Sequence, residues 1–317
     1  MRDHQTAVRK SSVKPGKILM FGLLLALLGC DGMGHAYKKK AGVWRYGKET
    51  VAVAKGETLI ALNEWFAKTR NQAYYRAGRI PEADAASFAL DDHYARDKTQ
   101  AFWCDTYREG KEYFTVLHTR AFAIPGADPA SFRALTGRYA ADSRQGYYEG
   151  APFPVRDPAS FAPLERNFAH DKVSGYYMRG EIAGSHGPSF IGIDGVFSKD
   201  KDQVFFSTMD EGDGTKPRTP VTTQLPGSLP ASFAAFPYDY GKDADHAYYQ
   251  ANALSDDPAA FQILDFGYAK TPGKVFYYGK PLPKADPASF AIFNPVTETA
   301  TAQDKAATYK DDIRTPK

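Results

Sequence analysis

The 317-residue chain is poor in the residues that carry most enzyme chemistry. Its seven histidines (His4, His35, His93, His118, His170, His186 and His246) are scattered. None forms the HExxH or paired-cysteine pattern of a zinc site. Two cysteines, Cys30 and Cys104, are too few for a disulfide framework. Asp210-Glu211-Gly212-Asp213-Gly214 misses the calcium-loop spacing. Ser185 sits in Ala183-Gly184-Ser185-His186-Gly187, with alanine where a nucleophile elbow needs its first glycine. Residues 267–274, GYAKTPGK, have one residue too many for a phosphate loop, and Val275 stands where Ser or Thr would hold magnesium. A surplus of one charge is also missing. The net +3 resides in residues 1–29, which carry five basic residues against Asp3; the rest holds 35 basic and 36 acidic residues. With no basic surplus beyond residue 29 there is no electrostatic case for nucleic-acid binding. We therefore expect a non-enzymatic protein with no metal and no cofactor.

One continuous apolar run is present, residues 18–28, ILMFGLLLALL. As a helix it is about 16 Å long at 1.5 Å per residue, against about 30 Å for a bilayer core. A basic segment followed by a short apolar one is the layout of a secretory signal. Leu27-Leu28-Gly29-Cys30 closes the run and resembles the lipobox of bacterial lipoproteins. The resemblance implies cleavage before Cys30, lipid on Cys30, and a membrane-anchored location in the bacterial envelope, in either of its membranes. Cys104 is then alone in the mature chain and is expected to be a small buried hydrophobe.

Beyond the signal the chain repeats itself. Ser-Phe recurs at Ser87-Phe88, Ser131-Phe132, Ser160-Phe161, Ser189-Phe190, Ser232-Phe233 and Ser289-Phe290, with Ala260-Phe261 in the same role. The steps are 44, 29, 29, 43, 28 and 29 residues, a period of 28–29 with two enlarged copies. An aromatic pair precedes most Ser-Phe pairs by 13 residues, as Tyr147-Tyr148 and Tyr176-Tyr177 do. Five residues before the aromatic pair stands Asp97, Asp142, Asp171, Asp200 or Asp243, replaced by Thr69 and Thr271 in two copies. Thr58-Leu59 and the segment 301–310 extend the array as degenerate pieces, giving eight helical-turn segments in all.

Local rules sketch one unit. Asp128-Pro129-Ala130-Ser131-Phe132 reads as a helix start, with Asp as cap and Pro in the first turn. Phe132 and Leu135, three apart, are expected on one face of that short helical turn. Phe168-Ala169-His170 reads as a strand, Asp171 closes an Asx-type turn, and Tyr176-Tyr177 opens the returning strand. Each unit is then a β-hairpin with a short helical turn. A lone hairpin is marginal in water, so units must stack to bury their aromatic rows. The expected fold is mainly β, a tandem repeat in an open stacked array, with a closed propeller-like ring as the alternative. Expected boundaries are a signal over 1–29, a tether over 30–42, the repeat domain over 43–310 and a tail over 311–317.

Asp97-Lys98, Asp171-Lys172, Asp200-Lys201 and Asp304-Lys305, each followed by aromatic residues, resemble the DKNYY family, and the likeness runs over roughly residues 43–310. It implies a bacterial envelope protein of repeated units. A residue type recurring at equivalent positions is structural before it is catalytic, so the turn aspartates are expected to hold turns. The enlarged copies carry surplus chain, near 105–125 and 208–227. The first reads as an extra hairpin and the second as a projecting loop. Insertions in repeat proteins gather on one face, often the binding face. Tyr107, Tyr113 and Phe114 are the expected binding residues. The functional expectation is a lipid-anchored scaffold that binds a protein partner in the envelope. An immunity or inhibitor lipoprotein that neutralises a toxin or enzyme there is the alternative, and a hydrolase the third reading.

Overall fold

The computed structural model describes residues 36–91, 93–136, 138–212, 217–293 and 300–317. The described chain forms nine small antiparallel sheets in tandem, each from strands consecutive in sequence. The first sheet, within 37–50, has three strands. The other eight have four each and lie within 60–79, 89–123, 133–153, 162–182, 191–224, 234–255, 262–281 and 291–316. None closes into a barrel.

The hairpin expected from the sequence is the middle of each four-stranded meander. In the fifth sheet, Phe168–His170 pairs with Gly175–Tyr177, and Ala162–Pro163 and Gly180–Ile182 flank them. The helical turn is reduced to a single turn. Ser131 and Ser160 N–H donate to the carbonyls of Asp128 and Asp157, and the chain extends again two residues later. Only 187–189 winds into a 3-10 turn at this position among the described residues. The Phe132/Leu135 pair therefore does not share a helical face. Residue 133 is already in a strand, and an odd spacing in extended chain puts side chains on opposite faces. Phe132 packs toward the third sheet, whereas Leu135 packs toward the fifth.

The apolar core is divided into eight clusters, each joining two sheets consecutive in sequence. The aromatic pair supplies two of them at once, because successive strand residues face opposite ways. Tyr147 packs with the third sheet and Tyr148 with the fifth. The connector phenylalanine sits between. Phe161 lies 5.7 Å from the ring of Tyr139 and 5.6 Å from that of Tyr176. The same arrangement recurs at Phe88, Phe132, Phe190, Phe233, Phe261 and Phe290. Leu59 takes this place between the first two sheets. Burying one such side chain contributes about 1.5–3 kcal/mol, so the interfaces carry the stability that a lone meander lacks.

The turn aspartates lock each sheet to the connector before it. Asp171 is fully buried. Its Oδ1 accepts the N–H groups of Val173 and Ser174, and its Oδ2 accepts the Asp157 N–H and the Tyr176 hydroxyl. Asp97, Asp142, Asp200, Asp243 and Asp304 repeat the two turn bonds and the reach to the connector, to Asp84, Asp128, His186, Leu229 and Asp286 N–H. The connector serine completes the lock: Ser160 Oγ accepts the Lys172 N–H. The lysine then reaches back, as Lys98 does to Asp84 at 2.6 Å and Lys172 to Asp157. Those lysines are exposed, and such surface pairs contribute only about 0–1 kcal/mol.

Both ends run further than the spacing implied. Strand Tyr37–Lys40 lies in the segment read as tether, and Ile313–Pro316 in the segment read as tail. Their outward-facing positions are mostly polar, with Val43 and Ile313 the exposed exceptions, which hides the strand pattern. In the first sheet Tyr37 and Tyr46 face the core while Lys38 and Arg45, paired across the strands, face away. In the ninth, Ala307 and Tyr309 face the core and Thr308 and Lys310 face away. Polar end faces suit an open array; a closed ring would need an apolar seam there.

Candidate binding groove

Both enlarged copies lengthen the same part of the unit, its third and fourth strands. In the third sheet Ala101–Tyr107 pairs with His118–Ala123. In the sixth, Val204–Met209 pairs with Pro220–Gln224, so the segment read as a loop is a paired hairpin; its tip, 213–216, lies outside the described residues. Two regular sheets separate the enlarged ones. In those sheets the corresponding connection is a two-residue turn. Glu149 (φ 51°) and Gly150 (φ 74°) form one such turn, which needs positive φ at both positions. A Cβ on Gly150 would stand 2.6 Å from that of Trp103. The long hairpins thus flank a stretch where the chain is trimmed to its minimum.

A groove of about 520 Å3 results. Arg120 of the first long hairpin and Met209 and Pro220 of the second line its sides. Its floor is Arg138, Tyr148, Glu149, Ala151, Asn167, Met178 and Arg179 of the fourth and fifth sheets. A hollow of about 630 Å3 adjoins it and shares Arg138, Tyr148 and Asn167. The floor is pinned by polar contacts. Arg138 pairs with Glu149, the Tyr148 hydroxyl donates to Asn167 Oδ1 at 3.0 Å, and that of Tyr139 donates to the Asn167 carbonyl at 2.5 Å. Burial, reinforced by the Glu149 carboxylate, pushes the Tyr148 phenol up to about 12. Arg120 pairs with Asp105 at 3.2 Å and lies over the Tyr107 ring. Three guanidinium groups, one carboxylate and two flexible methionines make a mixed surface, suited to protein side chains.

Of the expected binding residues, Tyr107 stands beside the groove through Arg120 and stacks on His118 at 5.2 Å. Tyr113 and Phe114 lie at the hairpin tip, their rings in edge contact at 5.2 Å, with Phe114 90% exposed. They are away from the groove lining. Cys30 lies outside the described residues. Arg138, Tyr148, Asn167, Met178 and Arg179 escaped the sequence reading. Their signal was positional: insertions at one loop of two units bracket the equivalent loops of the units between.

Several residues weighed for chemistry are committed elsewhere. Ser185 Oγ accepts the Gly175 N–H at 2.8 Å and donates to the Ile182 carbonyl at 2.6 Å. The Asp243 carboxylate takes the N–H groups of Leu229, Asp245 and His246 and the Tyr248 hydroxyl. Cys104 is buried in the core, and burial pushes its thiol well above the usual range. Among the described residues no group of three or more His, Cys, Asp or Glu is placed to hold a metal ion.

The sequence model of the DKNYY family matches residues 231–312. That span takes in the seventh and eighth sheets and all but the last strand of the ninth, and the aspartate lock described above recurs back to Asp97. No curated protein and no solved structure matches the chain.

Proposed function

We propose that the chain is a lipid-anchored protein of the bacterial envelope, tethered through Cys30, and that it is a non-enzymatic scaffold gripping a partner protein in the groove between its two long hairpins. The observation that carries the binding site is the placement of the surplus chain. Regular units need none of it to pack, yet both enlargements fall at the same edge and flank one groove. The anchor rests on the apolar run ending at Cys30. Two or three acyl chains hold a protein firmly, whereas one gives only marginal binding.

Two changes test the reading. Cys30→Ala abolishes acyl labelling and leaves the precursor uncut; normal acylation of that variant sinks the anchor. Arg179→Glu, on the groove floor, weakens capture of the partner from envelope extracts while leaving the melting temperature in place; undiminished capture excludes the groove. The narrower reading, an immunity or inhibitor lipoprotein, draws on the Tyr113-Phe114 tip. An exposed aromatic pair on a two-stranded hairpin has the shape to enter a cleft in another protein.

A further inference from the structure

The first sheet is charged unlike the rest of the molecule. Residues 36–50 hold Lys38, Lys39, Lys40, Arg45 and Lys48 against Glu49, a net of +4. Residues 51–317 hold 30 basic and 34 acidic residues, a net of −4. The basic charge is concentrated on the sheet's outward side. Lys38 and Arg45 stand directly opposite one another across the strands, and Lys38, Lys40 and Lys48 are exposed. Like charges so paired destabilise a sheet. Arg45 answers one carbonyl, that of Lys48, at 3.0 Å, and among the described residues neither Lys38 nor Arg45 is in a salt bridge. Among the described residues no sheet packs on this face, and the sheet's core cluster lies on its other side.

Position supplies the occupant. Cys30 precedes Tyr37 by seven residues in the sequence. Seven extended residues reach at most about 25 Å, so a lipid on Cys30 keeps this sheet within that distance of the bilayer surface. We infer that the outward face of the first sheet, centred on Lys38, Lys40 and Arg45, docks on anionic lipid headgroups. This rests on Cys30 being the anchor. The inference gives the lipid a second signal of the kind that stabilises membrane association. It also sets the orientation: a molecule with a basic first sheet and an acidic remainder stands with its basic end on a negative surface, leaving the groove of the third to sixth sheets to partners.

The test uses the protein purified from the envelope and placed in vesicles of phosphatidylcholine alone or with phosphatidylglycerol. Surface amines are acetylated, and peptide mass spectrometry reads each lysine and the mass of the N-terminal peptide. Lys38 and Lys40 should be labelled severalfold less in the anionic vesicles, with protection lost at high salt. The exposed Lys274 and Lys284 should be labelled alike in both. Lys38→Gln/Lys40→Gln/Arg45→Gln, verified as folded by circular dichroism, should read at Lys39 and Lys48 as unprotected. Equal labelling of wild-type Lys38 and Lys40 in the two vesicle types overturns the inference. Protection by soluble heparin but not by anionic vesicles overturns it too, in favour of a free polyanion. An N-terminal peptide without acyl mass fails the anchor reading separately; in that event protection on adding anionic vesicles to the soluble protein still decides the docking.

Discussion

Replacing Asp171 with alanine removes a carboxylate that four donors share. The Val173 and Ser174 N–H groups approach Oδ1 at 2.7 and 2.8 Å, and the Asp157 N–H and Tyr176 hydroxyl approach Oδ2 at 2.8 and 2.6 Å. Bonds to a charged acceptor contribute about 1.5–3 kcal/mol each, and a buried donor left unpaired costs about 1–3 kcal/mol. Water entering the vacated turn offsets part of this for the two turn N–H groups. The connector N–H and the buried hydroxyl gain less. The expected loss is about 3–5 kcal/mol, well beyond the ~1 kcal/mol of a simple lost cap. Asp200 is the internal comparison. It holds the same three backbone donors, but Phe205 stands where Tyr176 does, so no hydroxyl joins them. Asp200→Ala should cost about 1 kcal/mol less. Urea denaturation followed by circular dichroism gives the totals. Hydrogen exchange should place the damage in the fourth to sixth sheets, because stacked repeats unfold by neighbouring units. A loss below about 1 kcal/mol for Asp171→Ala, or an equal loss at both sites, would refute the four-donor account.

Phe161→Ala empties the space between Tyr139 and Tyr176 and should cost about 3–5 kcal/mol, read from the same denaturation curves. Acid should weaken the fold. Burial pushes the carboxyls of Asp97, Asp142, Asp171, Asp243 and Asp304 upward, but hydrogen bonds from turn, connector and tyrosine donors outweigh it and hold all five low, Asp304 at about 2. A folded pKa below the unfolded value, about 3.9 for Asp, stabilises above that value, and the stability is lost as pH falls from there toward 2. Melting temperatures from pH 7 to pH 2 should drop steeply only in that lower window; a flat profile contradicts the lock. Removing 108–117 should preserve the fold, whereas a cut reaching 124 should not. Ile124 is buried between the third and fourth sheets, and 118–123 pairs with the third strand. Thermal melting of the two deletions separates these outcomes.

What the sequence made legible was whatever recurs with fixed chemistry. The aspartate five residues before an aromatic pair marked both the turn and the returning strand, and the carboxylates of Asp142, Asp171 and Asp243 accept N–H groups of those turns. Most outer strands of the regular units were obscured because they are two or three residues long and carry no alternation of their own; Ala162–Pro163 is an example. Phe-x-x-Leu suggested a helix because three residues apart is also a helical spacing. The two side chains instead serve different interfaces of one extended segment. The groove was the least legible feature. Arg138, Tyr148, Asn167 and Arg179 belong to ordinary repeats, and only the stacking brings them between two hairpins. Phe114 was found because an aromatic residue in surplus chain stands out, and it proved exposed but away from the groove lining.

The most direct test of the groove as the binding surface is site-specific photo-crosslinking in intact cells. A photoreactive side chain is placed at Met209 or Arg179 in the groove, and at exposed Phe236 or Lys274 in the regular seventh and eighth sheets. The account predicts one discrete adduct from both groove positions, absent from the other two and weakened by Arg120→Glu in the groove wall. Adducts arising only from Phe236 or Lys274, with the groove positions silent, would contradict it.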